Sequence, residues 1–317
     1  MSTPIKTRKL IIILGPTASG KSDLAVEMAK RHNGEVISAD SRQVYRGMDI
    51  GTGKIPRDTT HYSLPTTHYF HKGIPHYLLD VANPKAPPTG GFTVAQYQKL
   101  ARKALEDIWK RGKLPIICGG TGFYIQAVVD GLALPEVKPN PLLRKKLAEK
   151  TTDELFAMLK KKDKARAKAI DSKNRVRLIR ALEIAEALGK VPKLKLQPIE
   201  ADVLTFGIKK EKAELEKLIL KRLIYRVEKE GMLQEISKLH KNGVSWKRLE
   251  SFGLEYRYGA LLLQNKISRD EFMRQLAHAI NQYAKRQMTW FRRDKRILWT
   301  KNEKEALYAA KQFLKQD

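Results

Sequence analysis

The stretch Leu10–Ser22, LIIILGPTASGKS, limits what this chain can fold into more than any other feature. Leu10–Leu14 is an unbroken apolar run, the signature of a parallel strand covered on both faces. It leads into Gly15-Pro16-Thr17-Ala18-Ser19-Gly20-Lys21-Ser22, which fits the phosphate-loop pattern G-x-x-x-x-G-K-[ST] between a strand and a helix. Glycines in such a loop let successive amides turn inward around an anion, and a helix starting at Lys21 adds its positive end. Lys21 is placed to reach a terminal phosphate, and the Ser22 hydroxyl to take a position on Mg²⁺. The loop predicts a di- or triphosphate with magnesium. It leaves open whether phosphate is transferred, hydrolysed or lost with a leaving group. The guanine-reading Asn-Lys-x-Asp of switch GTPases is absent, and YLLDV with Asp80 is a candidate for the apolar strand ending in acid that an ATPase motor needs.

Beyond the loop, strand and helix patterns alternate. Lys21–His32 reads as a helix with Leu24, Ala25 and Met28 on one face, stopped by Gly34. Glu35–Asp40 and His76–Val81 read as strands, Thr93–Lys113 as a helix, and Leu114–Gly122 as a strand running into glycines. This alternation predicts an α/β fold, a P-loop NTPase-like parallel sheet covered on both faces. From Asn140 to Leu188 the chain becomes rich in Lys, Ala and Leu with no strand-like run, and Val191–Pro198 closes that stretch with two prolines. An inserted helical subdomain is expected there. Ala201–Ile208 has strand character again and can rejoin the sheet; the remainder reads as helical. Apolar residues recur every three or four positions at Leu215, Leu218, Ile219, Leu223 and Val227. They do so again at Phe272, Leu276, Ile280, Tyr283, Gln287 and Phe291, with one polar member. The expected organisation is a P-loop core over 1–137, an inserted basic helical subdomain over 138–195, and a return to the core with C-terminal helices over 196–317.

Charge narrows the choice of partner. The 62 Lys and Arg against 34 Asp and Glu give a net charge of +28, far more than solubility needs. An excess of this sign points to a polyanion, nucleic acid ahead of an anionic membrane. Residues 138–193 are the densest region, with 17 basic and 7 acidic residues and a net of +10. The single cysteine, Cys118, excludes an internal disulfide and a cysteine-based metal cluster, and suits a reducing compartment. Leu10–Leu14 is too short for a signal-peptide core or a membrane span. A soluble cytoplasmic chain is expected, monomeric and with no membrane partner.

Two further stretches carry chemistry. In open α/β sheets ligands bind beyond the carboxyl ends of strands, so Asp40, closing the second strand, lies near the phosphate loop. It can bind Mg²⁺, act as a general base, or cap the following turn. Gly119–Gly122 ends another strand at the same edge. It reads either as a tight strand-to-helix turn or as a close backbone approach to ligand, with the Thr121 hydroxyl beside it.

Together these pieces resemble the bacterial-type tRNA dimethylallyltransferases (tRNA isopentenyltransferases). The match is carried by GPTASGKS (15–22), ADSRQVYRGMDIGTGK (39–54), HYLLD (76–80), GGTGFY (119–124), RLIRALEI (177–184) and YAKRQMTWFR (283–292), in family order over about residues 8–300. The combination of DSRQVYRGMDIGTGK with YAKRQMTWFR is the specific part. Such enzymes transfer a dimethylallyl group from dimethylallyl diphosphate to N6 of adenosine-37, beside the tRNA anticodon, and release diphosphate. The resemblance implies that Gly15, Pro16, Thr17, Ala18, Ser19, Gly20, Lys21 and Ser22 hold diphosphate and Mg²⁺. It places Thr17 near the reacting centre and makes Asp40 the acceptor of the N6 proton, with Lys21 stabilising the leaving group. It puts Asp40, Ser41, Arg42, Gln43, Thr121, Arg144, Arg177 and Arg180 at tRNA contacts within the anticodon stem-loop. Val-Arg-Leu-Ile-Arg at 176–180 stands where the family has Q-R-x-x-R, so an amide is missing at Val176. Near Arg226 the chain reads RVEKEGMLQEI, with its glycine early, and leaves Arg222 and Arg226 as alternatives for the diphosphate arginine. Gly253–Tyr256, GLEY, replaces the family's G-Y-K-E, and no Cys/His zinc-finger tail is present.

In YAKRQMTWFRR, Tyr283, Gln287 and Phe291 share one helical face and read as core, while Gln282, Arg286, Thr289 and Arg293 share another and read as facing RNA. The rivals are a small-molecule or nucleotide kinase, a non-catalytic P-loop RNA-binding protein, and an isopentenyltransferase acting on free adenosine nucleotide. The long basic region after residue 138 argues against the first and the third.

Overall fold

In the computed structural model, residues 7–58, 69–86 and 91–316 are described. Their helices and strands fall into two compact units. One holds the described residues up to Ala86, Gly91–Val129 and the chain from Pro198 on; the other is Asp130–Gln197.

The first unit is built on β1 (Lys9–Leu14), β2 (Gly34–Ser38), β3 (Tyr69–His71), β4 (Ile74–Tyr77), β5 (Leu114–Gly119), β6 (Asp202–Ile208) and β7 (Ile297–Thr300). They form one sheet in the order β3-β4-β2-β5-β1-β6-β7, parallel throughout except where β3 pairs antiparallel with β4. Successive side chains of a strand point to opposite faces, and β1 shows both faces filled. Leu10, Ile12 and Leu14 pack towards α2 (Val94–Lys110) and α3 (Gly122–Val129), while Ile11 and Ile13 pack towards α1 (Lys21–Arg31) and α13 (Glu303–Lys315). All five are at most 3% exposed. Each contributes about 1.5–3 kcal/mol by leaving water, which is why so short a run can anchor the sheet.

The strand expected at His76–Val81 is a shorter one. β4 stops at Tyr77 because Leu78 and Asp80 take left-handed φ of 61° and 58°. β5 likewise ends at Gly119, before the glycine turn. The remainder after Ile208 is not wholly helical, since β7 adds a four-residue edge strand beside β6. α8 (Lys212–Glu228), α9 (Met232–Lys241), α10 (Trp246–Phe252), α11 (Leu254–Leu263) and α12 (Arg269–Phe291) share a further apolar core with Val44, Tyr45 and Met48.

At the amino ends of the strands, away from the phosphate loop, Glu35 is only 1% exposed. It is held by Arg111 (both nitrogens at 2.6 Å), Lys113 (2.7 Å) and the Tyr77 hydroxyl (2.6 Å). Burial alone would raise its carboxyl; these hydrogen bonds overcome that and hold it at about 2.

The second unit contains α4 (Pro141–Ala148), α5 (Thr152–Lys162), α6 (Lys164–Ala169) and α7 (Arg175–Leu188) around Leu147, Leu155, Leu159, Leu178 and Leu182. Its sequence sets the helix limits. Asn140 caps α4 ahead of Pro141, Thr151 and Glu154 form a capping box on α5, and Asp163 closes α5 while capping α6. Among the described residues of the chain no helix is long and apolar enough to cross a membrane.

Candidate active site

The loop after β1 has the backbone its sequence requires. Gly20, the N-cap of α1, sits at φ +87°, where glycine is unstrained, and no side chain caps the helix. Ala18 also takes a left-handed φ of 62°, a strained choice for alanine that binding loops commonly store. Lys21 Nζ reaches back only to the Pro16 carbonyl at 3.3 Å, and Ser19 Oγ is buried with no hydrogen-bond partner.

Beside the loop, Asp40 uses one carboxylate oxygen to cap the next turn, Oδ1 accepting from the amides of Arg42 (2.8 Å) and Gln43 (3.3 Å). The Ser41 amide donates to Thr121 Oγ1 at 3.0 Å, tying the ends of β2 and β5 together. The capping reading is thus realised, and Asp40 still lines a cavity of about 540 Å³. Thr17, Lys21, Ser22, Ser41, Arg42 and Gln43 line the same cavity, as do Arg222 and Arg286. Eight residues widely separated in sequence and named from it alone thereby join Asp40 in one place.

The two arginines of α8 have different surroundings. Arg222 Nη2 donates to Thr17 Oγ1 at 3.2 Å. Arg226 is 5% exposed and ion-pairs with Glu255 at 3.6 Å. Its guanidinium presses against Gly53, where a Cβ would lie 1.7 Å from Nη2, so only glycine fits. The 49–53 turn that carries Gly53 hangs on Glu235, which accepts from the amides of Asp49, Ile50 and Gly51 (2.9, 2.7 and 3.1 Å) and from the Tyr256 hydroxyl. Gln43 donates to the Thr52 and Gly53 carbonyls from the other side. Glu235, Glu255 and Gly53 were not singled out from sequence. The GLEY segment carries Glu255 and Tyr256, and its departure from the family pattern is the signal that marked it.

Electrostatically the cavity carries more cations (Lys21, Arg42, Arg222, Arg257 and Arg286) than carboxylates (Asp40 and Glu255). Burial lowers the Lys21 ammonium, and Arg222 pushes the same way against Cys118 and Asp40. Burial and the nearby Arg226 also lower Arg222. Among the described residues neither Lys21 nor Arg222 makes an ion pair within 4 Å, whereas Arg226 has Glu255. Two cations held together in a partly buried cleft are costly until an anion joins them. Asp80, considered as an ATPase acid, is instead engaged by the buried Lys54 at 2.6 Å, together with Asp49 at 2.5 Å.

Magnesium fits in one way. Among the described residues there is no cluster of three His, Cys, Asp or Glu that could hold a metal. The Ser22 hydroxyl lines the cavity near Asp40. A magnesium ion here would share its shell between Ser22, water and phosphate oxygens, its usual manner in phosphate sites.

α12 closes one wall. Gln287 and Phe291 are buried and Tyr283 half-buried, while Gln282, Arg286, Thr289 and Arg293 are exposed, the division its periodicity predicts. Gln287, the polar member of the buried face, bonds to the Thr17 amide and to the Gly120 carbonyl.

The other expected RNA contacts belong to the helical unit. Arg177 is exposed at the start of α7. Arg144 and Arg180 both grip Glu183, which is 1% exposed; Arg144 does so through two hydrogen bonds of 2.9 and 2.8 Å. Burial would raise the Glu183 carboxyl, and these partners with the Asn140 amide keep it low.

Known proteins resemble this chain in sequence and fold. The sequence pattern described as IPP transferase matches residues 43–294, and that described as isopentenyl transferase matches residues 8–63. The chain belongs to the IPP transferase family. It is 42% identical over 316 residues to tRNA dimethylallyltransferase 2 of Citrifermentans bemidjiense, covering 98% of this chain and 97% of that one. It is 44% identical over 298 residues to tRNA dimethylallyltransferase 2 of Trichlorobacter lovleyi, covering 92% and 90%. Among solved structures, the full-length tRNA isopentenylpyrophosphate transferase of Bacillus halodurans superposes with a TM-score of 0.68 at 32% identity, over 98% of this chain and 96% of that one. A eukaryotic dimethylallyltransferase acting on tRNA superposes with a TM-score of 0.78 at 25% identity, over 97% and 80%. IPP transferase membership therefore rests on matches over nearly the whole chain, and the P-loop α/β fold belongs to the unit that carries the sheet.

Proposed function

We propose that this protein transfers the dimethylallyl group of dimethylallyl diphosphate to N6 of adenosine-37 in tRNA, releasing diphosphate. The observation that carries this reading is the pairing of an anion-deficient grip with a carboxylate in one cavity. Arg222 bonds to Thr17 of the loop that carries Lys21, neither cation has an ion pair within 4 Å among the described residues, and Asp40 lines the same cavity. The family membership and the names of the relatives supply the substrates.

The chemistry follows from these positions. Breaking the allylic C–O bond puts positive charge on the allyl group and negative charge on the diphosphate. Loop amides, Lys21 and Arg222 take up that growing negative charge, and so stabilise the transition state more than the bound substrate. Magnesium, when bound at Ser22, supplies further neutralisation of the leaving oxygens. Of the two arginines, Arg222 is assigned to the diphosphate, because it reaches Thr17 of the phosphate loop while Arg226 faces Glu255 at 3.6 Å. The adenine amine is a weak nucleophile, its lone pair being delocalised into the ring. Asp40 accepts the amine proton as the C–N bond forms, a contribution of roughly 10²–10⁴ in rate. Adenosine-37 must leave its stack to reach the cavity, at a cost of about a few kcal/mol. Arg42, Gln43, Thr121 and Arg286 at the site, and Arg144, Arg177 and Arg180 in the basic helical unit, offset this through contacts to the RNA.

The test uses purified protein, magnesium, dimethylallyl diphosphate and an unmodified tRNA bearing adenosine-37. Nucleoside mass spectrometry should find N6-dimethylallyl adenosine at that one position. Unmodified RNA, together with phosphate transfer from ATP to any acceptor, would overturn the reading in favour of a kinase.

A further inference from the structure

We propose that Gln287 is a positioning residue that takes the Thr17 amide out of the anion-binding set and thereby aims the Thr17 hydroxyl at the reacting centre. This rests on the reading of Thr17 given above. Gln287 is 6% exposed on an otherwise apolar face of α12. Its Oε1 accepts from the Thr17 amide at 2.9 Å, and its Nε2 donates to the Gly120 carbonyl at 2.9 Å. One side-chain amide thus joins the loop after β1 to the turn after β5. Both halves are needed: a carboxylate cannot donate to Gly120, and an apolar side chain of the same length leaves two buried backbone groups without partners.

The consequence is geometric. Amides of a phosphate loop normally turn in towards the anion. At Thr17 that amide is engaged by Gln287, so the residue meets the cavity with its hydroxyl, which lies 3.2 Å from Arg222 Nη2. The same tie fixes the loop to the helix that carries Tyr283 and Arg286. Room for it is provided at Gly120, where a Cβ would stand 2.2 Å from Gln287 Nε2. Gly120 takes no left-handed φ, so alanine suits the backbone there and displaces only the amide.

Two variants therefore break the tie by different routes: Gln287→Met removes the amide, and Gly120→Ala pushes it aside. Each is compared in the full-length protein with and without Thr17→Val, by single-turnover transfer rate, tRNA affinity and thermal unfolding. Each variant alone should slow transfer by up to about a hundredfold, as misplacement of a group by about 1 Å can. tRNA affinity should stay within about twofold. In the Thr17→Val background each should cost no more than about twofold further, the range of measurement for groups acting through one another. If Gln287→Met fails to fold, Gly120→Ala carries the comparison alone. Full additivity with an impaired Thr17→Val, or wild-type rates from a folded Gly120→Ala, overturns the tie. Wild-type turnover by Thr17→Val alone removes Thr17 from the reacting centre, and the role of Gln287 falls with it.

Discussion

Asp40 combines two tasks in one side chain. Its Oδ1 caps the Arg42–Gln43 turn, and the carboxylate lines the cavity that Lys21 also lines. Asparagine keeps an oxygen acceptor for the two amides and loses the basicity. Asp40→Asn should therefore reduce single-turnover transfer by about 10²–10⁴ while tRNA affinity stays near wild type. Loss of affinity with normal chemistry would reassign Asp40 to RNA binding. The two arginines separate in a similar way. Arg222→Met should raise the KM for dimethylallyl diphosphate and slow transfer without lowering Tm, since it removes a cation with no ion pair. Arg226→Met leaves Glu255 buried and unpaired, a loss of about 3–5 kcal/mol, and should lower Tm markedly. Equal effects of both on Tm would contradict the assignment. At this scale the sequence pointed to Asp40 and Lys21 by pattern and left Arg222 and Arg226 as alternatives. It marked Gln287 only as the polar member of a buried face and was silent on Glu255 and Glu235; the roles of all three arise from contacts across 21 to 270 positions of chain.

Among elements, β1 and β5 were legible because a buried parallel strand is apolar on both faces, and α1 because Leu24, Ala25 and Met28 recur at helical spacing. β4, Ile74–Tyr77, was read too far along the chain because Leu78 and Leu79 are buried like strand residues, while the left-handed φ at Leu78 and Asp80 turns the chain away. β7 was missed because four edge residues, two of them buried, carry no run or alternation long enough to register. The Glu35 cluster joining β2, β4 and β5 gives these strands a signature in pH. A carboxyl held at about 2 contributes stability that is complete above about 4.5 and is lost as pH falls towards 2. His76 on β4, lowered to about 4 chiefly by burial, adds a loss that begins below about 6.5. Chemical unfolding followed from pH 7 to 3 should show stability falling steadily with acid. Glu35→Gln should weaken the protein at pH 7 and flatten the part of that slope below about 4.5. An unchanged slope would mean that Glu35 is not held as described.

For the molecule as a whole, the net charge of +28 decided the class of partner before any fold was known. A chain that meets six or more RNA phosphates should lose affinity by about 10³ or more between 50 and 200 mM salt. A flat response would remove the electrostatic account of RNA binding. Whole-length likeness to the IPP transferases gives the loop its family context. The loop alone, met in LIIILGPTASGKS, is equally at home in a kinase, and what separates the two is the fate of the phosphorus. The decisive measurement is single turnover with dimethylallyl diphosphate labelled at the β-phosphorus, with tRNA in excess. The account predicts that all label leaves as intact diphosphate, one for each prenylated adenosine, and that Asp40→Asn slows both together. Label appearing in RNA, or released as orthophosphate without prenylation, would contradict it.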